Sequence, residues 1–240
     1  MVESLFILAL IFILLLSFVA TVVFLLSYLG ILGRVNVTVG KPIIKNVWIA
    51  YKPQKGPYQD CGPHFTEACS LRPDLPCIGI YYDDPETVPK EDLRYIVGLI
   101  LSEAETPPED LVSLVTNHGF RIAELPAIDY AVKAEFPFVM DLCGVIGAWK
   151  VYPALGTYIT ERKLSAHPFL EIYLKNKIHY MGPLSKQSDF FVPEVKYNVY
   201  KSDDSITRSP GVGAELREDS SDDDQESQTT TSSFEDLGSE

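Results

Sequence analysis

Phe169-Leu170-Glu171-Ile172-Tyr173-Leu174-Lys175-Asn176-Lys177-Ile178-His179-Tyr180-Met181 is the stretch on which the fold turns. Leu170, Ile172 and Leu174 alternate with Phe169, Glu171 and Tyr173, so 169–174 reads as a strand with two unlike faces. Lys175-Asn176-Lys177 is a tight turn, and 177–181 is the strand that returns from it. Upstream, Val132, Ala134 and Phe136 alternate with Lys133 and Glu135, a strand over 130–136. Leu142, Val145, Ile146 and Trp149 then recur at helical spacing, and Pro153 is expected to begin a further helix with Leu155, Tyr158 and Ile159 inward. Downstream, Phe190 to Val195 is expected to form a last short strand.

The first half of the chain has the same order. Val47 to Tyr51 reads as a strand, Phe65 to Leu71 as a short helix closed by Pro73, Cys77 to Tyr82 as a strand, and 92–101 as an apolar central strand. Two runs of strand, helix, strand, strand predict an internally duplicated α+β domain over residues 34–200. Val35, Val37 and Val39 predict a strand before the first run. Thr106-Pro107-Pro108-Glu109 predicts a capped helix with prolines in its first turn, one face formed by Leu111, Leu114 and Val115, and Gly119 as its stop.

The two ends are of different character. Nothing between Ser4 and Gly33 is charged. As a helix, Leu5 to Leu29 would span ~38 Å, against a hydrocarbon core of ~30 Å. Glu3 replaces the basic start of a signal peptide and no small-residue cleavage site follows, so residues 1–33 are expected to be a retained anchor. Arg34, Lys41 and Lys45 follow the span and no Lys or Arg precedes it. The positive-inside rule then predicts a lumenal N-terminus and a cytosolic body, where Cys61, Cys69, Cys77 and Cys143 would be free thiols. The last segment, 201–240, has 12 acidic and 3 basic residues of a chain whose net charge is −13. It is too polar to build a core. A nearly neutral body with an acidic tail argues against direct nucleic-acid binding.

Within that tail stands Ser232-Ser233-Phe234-Glu235-Asp236-Leu237. Phe234 and Leu237 have no core to enter. In an extended strand they can reach two pockets along a sheet edge, with Glu235 and Asp236 meeting basic residues at the rim. This resembles the motif by which autophagy receptors bind the lipidated ubiquitin-like proteins of the GABARAP family. Ser232 and Ser233, and further upstream Ser220 and Ser221, each have an acidic residue three positions on. All four are expected sites for acidophilic kinases.

The body carries a second resemblance. Tyr158-Ile159-Thr160-Glu161-Arg162-Lys163-Leu164, Phe169 to Tyr173, and Asp189-Phe190-Phe191-Val192-Pro193-Glu194 are similar to the close of a GyrI-like, bacterial effector-binding domain. With Tyr81-Tyr82-Asp83, Val97-Gly98 and Pro153-Ala154-Leu155, and with both ends in order, the chain resembles a family of endoplasmic-reticulum-anchored reticulophagy receptors. That resemblance implies an anchor in the endoplasmic reticulum, a GyrI-like body and an acidic tail that binds autophagosomes. It also implies an AAA+ unfoldase as a further partner at the nuclear periphery, though no motif here can be assigned to that contact. The tail here is shorter than is usual in the family.

Glu171, flanked by Phe169 and Tyr173, is the residue type and setting that holds an organic cation, and the GyrI-like resemblance implies a drug-facing glutamate near this position. The plain alternative is a solvated strand carboxylate or one paired with a lysine. No nucleophile elbow or phosphate loop is present, and His64, His118, His167 and His179 lack metal spacing. The expectation is a receptor without catalytic residues, metal or cofactor. The alternatives are a membrane-tethered small-molecule-binding module or hydrolase using the Glu171 cleft, and an adaptor recruiting an AAA+ unfoldase in protein quality control or DNA–protein crosslink repair.

Overall fold

The hairpin forms around its turn. In the computed structural model, which describes residues 2–196, β7 (Phe169–Leu174) pairs antiparallel with β8 (Lys177–Pro183), Leu174 opposite Lys177. The remaining elements are α1 (Val2–Tyr28), β1 (Thr38–Gly40), β2 (Val47–Lys55), α2 (Gly62–Leu71), β3 (Cys77–Tyr81), β4 (Arg94–Glu103), α3 (Glu109–Asn117), β5 (Arg121–Leu125), β6 (Ala131–Pro137) and α4 (Leu142–Glu161). The described residues thus form an α+β protein with an N-terminal apolar helix.

One antiparallel sheet of eight strands runs in the order β1-β6-β8-β7-β3-β4-β2-β5. Its middle carries the duplication. In the first half β2-α2-β3-β4 lie as β2-β4-β3; in the second, β6-α4-β7-β8 lie as β6-β8-β7. The halves meet where β3 pairs with β7, and Gly79 stands opposite Glu171 at the middle of that pairing. Ile78, Ile80, Leu170 and Ile172 face one side, where Phe190, Val192 and Val195 cover them. The other side carries the helices. Ala68, Leu111 and Val115 pack over β3 and β4, and Cys143, Val151 and Leu155 over β6 and β8.

Several expectations are corrected. Pro153 does not start a helix; it lies inside the 20-residue α4. Its missing N–H falls one turn after exposed Trp149, on the open side of the helix, where the freed carbonyl is not sealed into the core. Of the expected stripe Leu142, Val145, Ile146 and Trp149, Ile146 is half-buried against the core and the other three are exposed. Cys143, Gly147, Val151 and Leu155, every fourth residue, face the sheet instead. The small Gly147 brings α4 in close: a Cβ there would lie 2.5 Å from the Tyr180 hydroxyl. Phe190 to Val195 is no strand. A 3-10 turn over Gln187–Phe190 is followed by helical residues 193–196, because Pro193 suits a helix start and has no N–H for a ladder. Helix α3 starts after the prolines, with Pro108 as its cap residue and no side-chain cap from Thr106. The strand expected from Val35 begins only at Thr38.

Cys69 and Cys77 are not free thiols. They are joined as a disulfide, because α2 ends beside the start of β3; the free cysteines are Cys61 and Cys143.

Helix α1 meets the body without a slack joint. Gly30 has φ 77°, the left-handed conformation that glycine adopts without strain. Its N–H donates to Ser27 O, and the Ile31 N–H donates to Leu26 O, a Schellman closure. Leu29 is buried with Val132, Ala134 and Phe136. The Lys150 ammonium donates to the carbonyls of Gly30, Ile31 and Gly33 at 3.0, 2.5 and 2.6 Å. A cation at a helix C-terminus also opposes the negative end of its dipole.

Candidate functional site

Strand alternation puts Glu171 on the helix-bearing side of the sheet, between α2 and α4. It is 4% exposed, the buried charged residue of the described core. Its carboxylate is not solvated and not paired with lysine. Three phenols serve it instead. The Tyr152 hydroxyl, on α4, donates to Oε1 at 2.8 Å. Tyr173, on β7, and Tyr81, on β3, donate to Oε2 at 2.9 and 3.2 Å. Each tyrosine comes from a different element, so the constellation exists only in the folded chain.

The electrostatics follow from burial without a counter-charge. Desolvation raises the Glu171 carboxyl above its ordinary value, and the hydrogen bonds from Tyr152, Tyr173 and Tyr81 draw it partly back. The same burial, with the neighbouring carboxylate, holds the Tyr81, Tyr152 and Tyr173 hydroxyls far above the usual phenol range, so they are donors at any physiological pH. Tyr81 also approaches Cys61 Sγ at 3.7 Å. It has one proton to give, so when Glu171 is ionised the thiol is left as the donor in that contact. Burial raises the Cys61 thiol, which makes it a poor nucleophile near neutrality.

Aromatic rings wall the carboxylate. Phe65 on α2 and Phe138 pack on Tyr173, with centroids 4.8 and 5.1 Å apart, and Phe169 and Tyr180 meet Tyr152 edge-on at 5.7 and 5.6 Å. The Tyr180 hydroxyl is buried in this wall and has no hydrogen-bond partner among the described residues. The carboxylate is thus enclosed by three neutral donors and a wall of aromatic rings. Clefts of about 300 Å³ beside Leu71 and Phe120 and about 490 Å³ beside Ile43 and Lys177 lie elsewhere. Among the described residues no three His, Cys, Asp or Glu side chains converge as metal ligands would.

The sequence-derived site residues divide cleanly. Glu171, Tyr173 and Phe169 are brought together. Phe234, Glu235, Asp236, Leu237, Ser232, Ser233, Ser220 and Ser221 lie outside the described residues. Sequence reasoning missed Tyr81 and Tyr152 as hydrogen-bond partners of Glu171, and Tyr180 as its cross-strand neighbour. The available signal was the pairing of two strands whose aromatic and acidic positions share a face.

The fold and site define a class: a two-half α+β domain with a buried carboxylate on its central strand pair and an apolar helix fixed to one end. No protein-family model matches the chain. It is similar to the testis-expressed protein 264 homolog of Mus musculus, 46% identical over 200 residues that make up 81% of this chain and 65% of that protein. The likeness to testis-expressed protein 264 of Homo sapiens is 43% over 200 residues, 81% of this chain and 64% of the relative. The chain thus spans just under two thirds of the length of these relatives. Among solved structures, the C-terminal domain of EcmrR is 13% identical with a TM-score of 0.40, over 64% of this chain and 98% of that one.

Proposed function

We propose that the chain is a membrane-anchored receptor of the endoplasmic reticulum whose tail recruits lipidated GABARAP-family ubiquitin-like proteins. The observation that carries it is α1. After Glu3 it is apolar but for Ser4, Ser17, Thr21 and Ser27, and none of its 27 residues is buried. At ~1.5 Å per residue it is ~40 Å long, enough to cross a ~30 Å hydrocarbon core with tilt. Lys150, now seen beside the end of α1, joins Arg34, Lys41 and Lys45 as positive charge on that side. This supports a cytosolic body under the positive-inside rule. The Cys69–Cys77 bond weighs the other way, since structural disulfides persist mainly in oxidising compartments.

The recruiting element is Phe234-Glu235-Asp236-Leu237. Two apolar anchors separated by two carboxylates suit strand addition at a sheet edge with a basic rim. Titrating a GABARAP-family protein with the full chain by calorimetry tests it. Phe234→Ala or Leu237→Ala should each lose about 2 kcal/mol, a factor of ~30 in affinity. Phosphate at Ser232 and Ser233 should tighten wild-type binding at low salt by ~1 kcal/mol each, fading as salt rises. Phosphate at Ser220 and Ser221, farther from the motif, should do less. Undiminished binding by the double alanine variant rejects the receptor reading.

A second reading rests on the Glu171 site. The buried carboxylate, its three tyrosines and the unpartnered Tyr180 hydroxyl favour a body that also binds a lipophilic cation, as the GyrI-like resemblance implies. No group there is set up as a nucleophile, so binding rather than hydrolysis is the reading favoured.

A further inference from the structure

Among the described residues, most large apolar side chains that stay exposed beyond Gly33 are gathered in one segment. Val139, Met140, Leu142, Val145 and Trp149 are 43%, 51%, 54%, 69% and 74% exposed. The last three sit at i, i+3 and i+7 on α4, along one face of the helix. The opposite face, with Cys143, Gly147 and Val151, is already committed to the sheet. The stripe therefore adds nothing to the fold of the body.

Its place relative to α1 is fixed at both ends. Pro137, two residues before the segment, packs so closely on Gly30 that a Cβ there would lie 2.6 Å from its ring. Lys150, directly after Trp149, holds the carbonyls of Gly30, Ile31 and Gly33. The segment between these two contacts can depart from the end of α1 by only a short excursion. Residues 142–149 as a helix cover only ~12 Å. Wherever α1 leaves a bilayer, this stripe is beside the exit point.

We propose that Val139, Met140, Leu142, Val145 and Trp149 are seated in the interfacial layer of the same bilayer that holds α1. The inference rests on the anchor reading of α1 and holds for either orientation, because it concerns only the leaflet at the Gly30 end. Tryptophan favours the headgroup level, and the flanking aliphatic residues suit the boundary just beneath it. The consequence is a body lying on the membrane in one orientation, with α4 as its contact helix. The occupant is lipid rather than a protein partner because continuity with α1 puts lipid there already.

The test uses the full chain reconstituted into phosphatidylcholine vesicles carrying brominated acyl chains. Wild type is compared with Trp149→Phe, which alters an exposed side chain. Trp48 is half-buried in the sheet and common to both, so the difference in emission belongs to Trp149. Expected is blue-shifted Trp149 emission that shallow bromines quench more than deep ones, with the quenchable component absent from Trp149→Phe. Carbonate extraction and flotation of the same vesicles report on α1. Insertion with Trp149 unquenched overturns the lipid contact, leaves the anchor standing, and gives the stripe to a second copy or a protein partner. Extraction of the chain by carbonate overturns both.

Discussion

Glu171 shows how one residue can be structural and responsive at once. Its folded value is raised, so the folded protein holds the proton more tightly than the unfolded chain. Between the ordinary carboxyl value of 4.5 and the raised one, the native state binds more protons. Stability therefore falls as pH rises through that window and is highest, for this group, below it. Glu171→Gln keeps the shape and removes the titration. Thermal unfolding of both proteins from pH 4 to pH 8 should show the wild type losing ground to the variant as pH rises. Parallel curves would mean that the carboxylate is better solvated than its burial indicates. A lipophilic cationic dye should bind the wild type more tightly as pH rises, with proton release, and should bind Glu171→Gln weakly at every pH. Equal dye binding by both forms would remove the cation reading.

At the scale of elements, the joint between α1 and α4 is the feature to test. Three carbonyls after a helix end share one ammonium, and Leu29 is buried beside it. Lys150→Met keeps most of the apolar stem and removes the donors. The expected cost is about 1–2 kcal/mol, because charge-assisted hydrogen bonds are lost while water replaces part of them. The readout is local: faster amide exchange at Ile31 to Gly33 and easier cleavage after Arg34, with β3, β4 and β7 unchanged. Unchanged exchange at Ile31 would show that the Schellman closure and Leu29 suffice to hold the joint.

For the whole molecule, sidedness decides what the body can meet. Charge after the span favours the cytosol, and the Cys69–Cys77 pairing favours an oxidising compartment; both act on the same domain. Differential alkylation of the protein in intact cells separates them. In the proposed orientation the Cys69–Cys77 bond faces cytosolic reductant, which would open it in cells, so both cysteines should then be alkylated. A pair fully protected until reductant is added would put the body in the lumen, and would separate the Phe234 motif from any cytosolic partner.

What the sequence determined by itself was local and periodic. The apolar run of α1, the two-faced strand at Phe169 to Leu174, the hairpin turn and the repeated strand-helix-strand-strand order are each written in neighbouring residues, and each formed. The motif at Phe234 is of the same kind and lies beyond the described residues. The tertiary structure alone decided which of two helical stripes on α4 is buried. Leu142, Val145 and Trp149 are more apolar than Cys143 and Gly147, yet close approach to Tyr180 requires the small residues. It alone brought Tyr81, Tyr152 and Tyr173 onto Glu171, from positions up to 90 residues away. Spacing along the chain reports on neighbours within an element, whereas the partners of a buried carboxylate are set by strand register and helix packing across the fold.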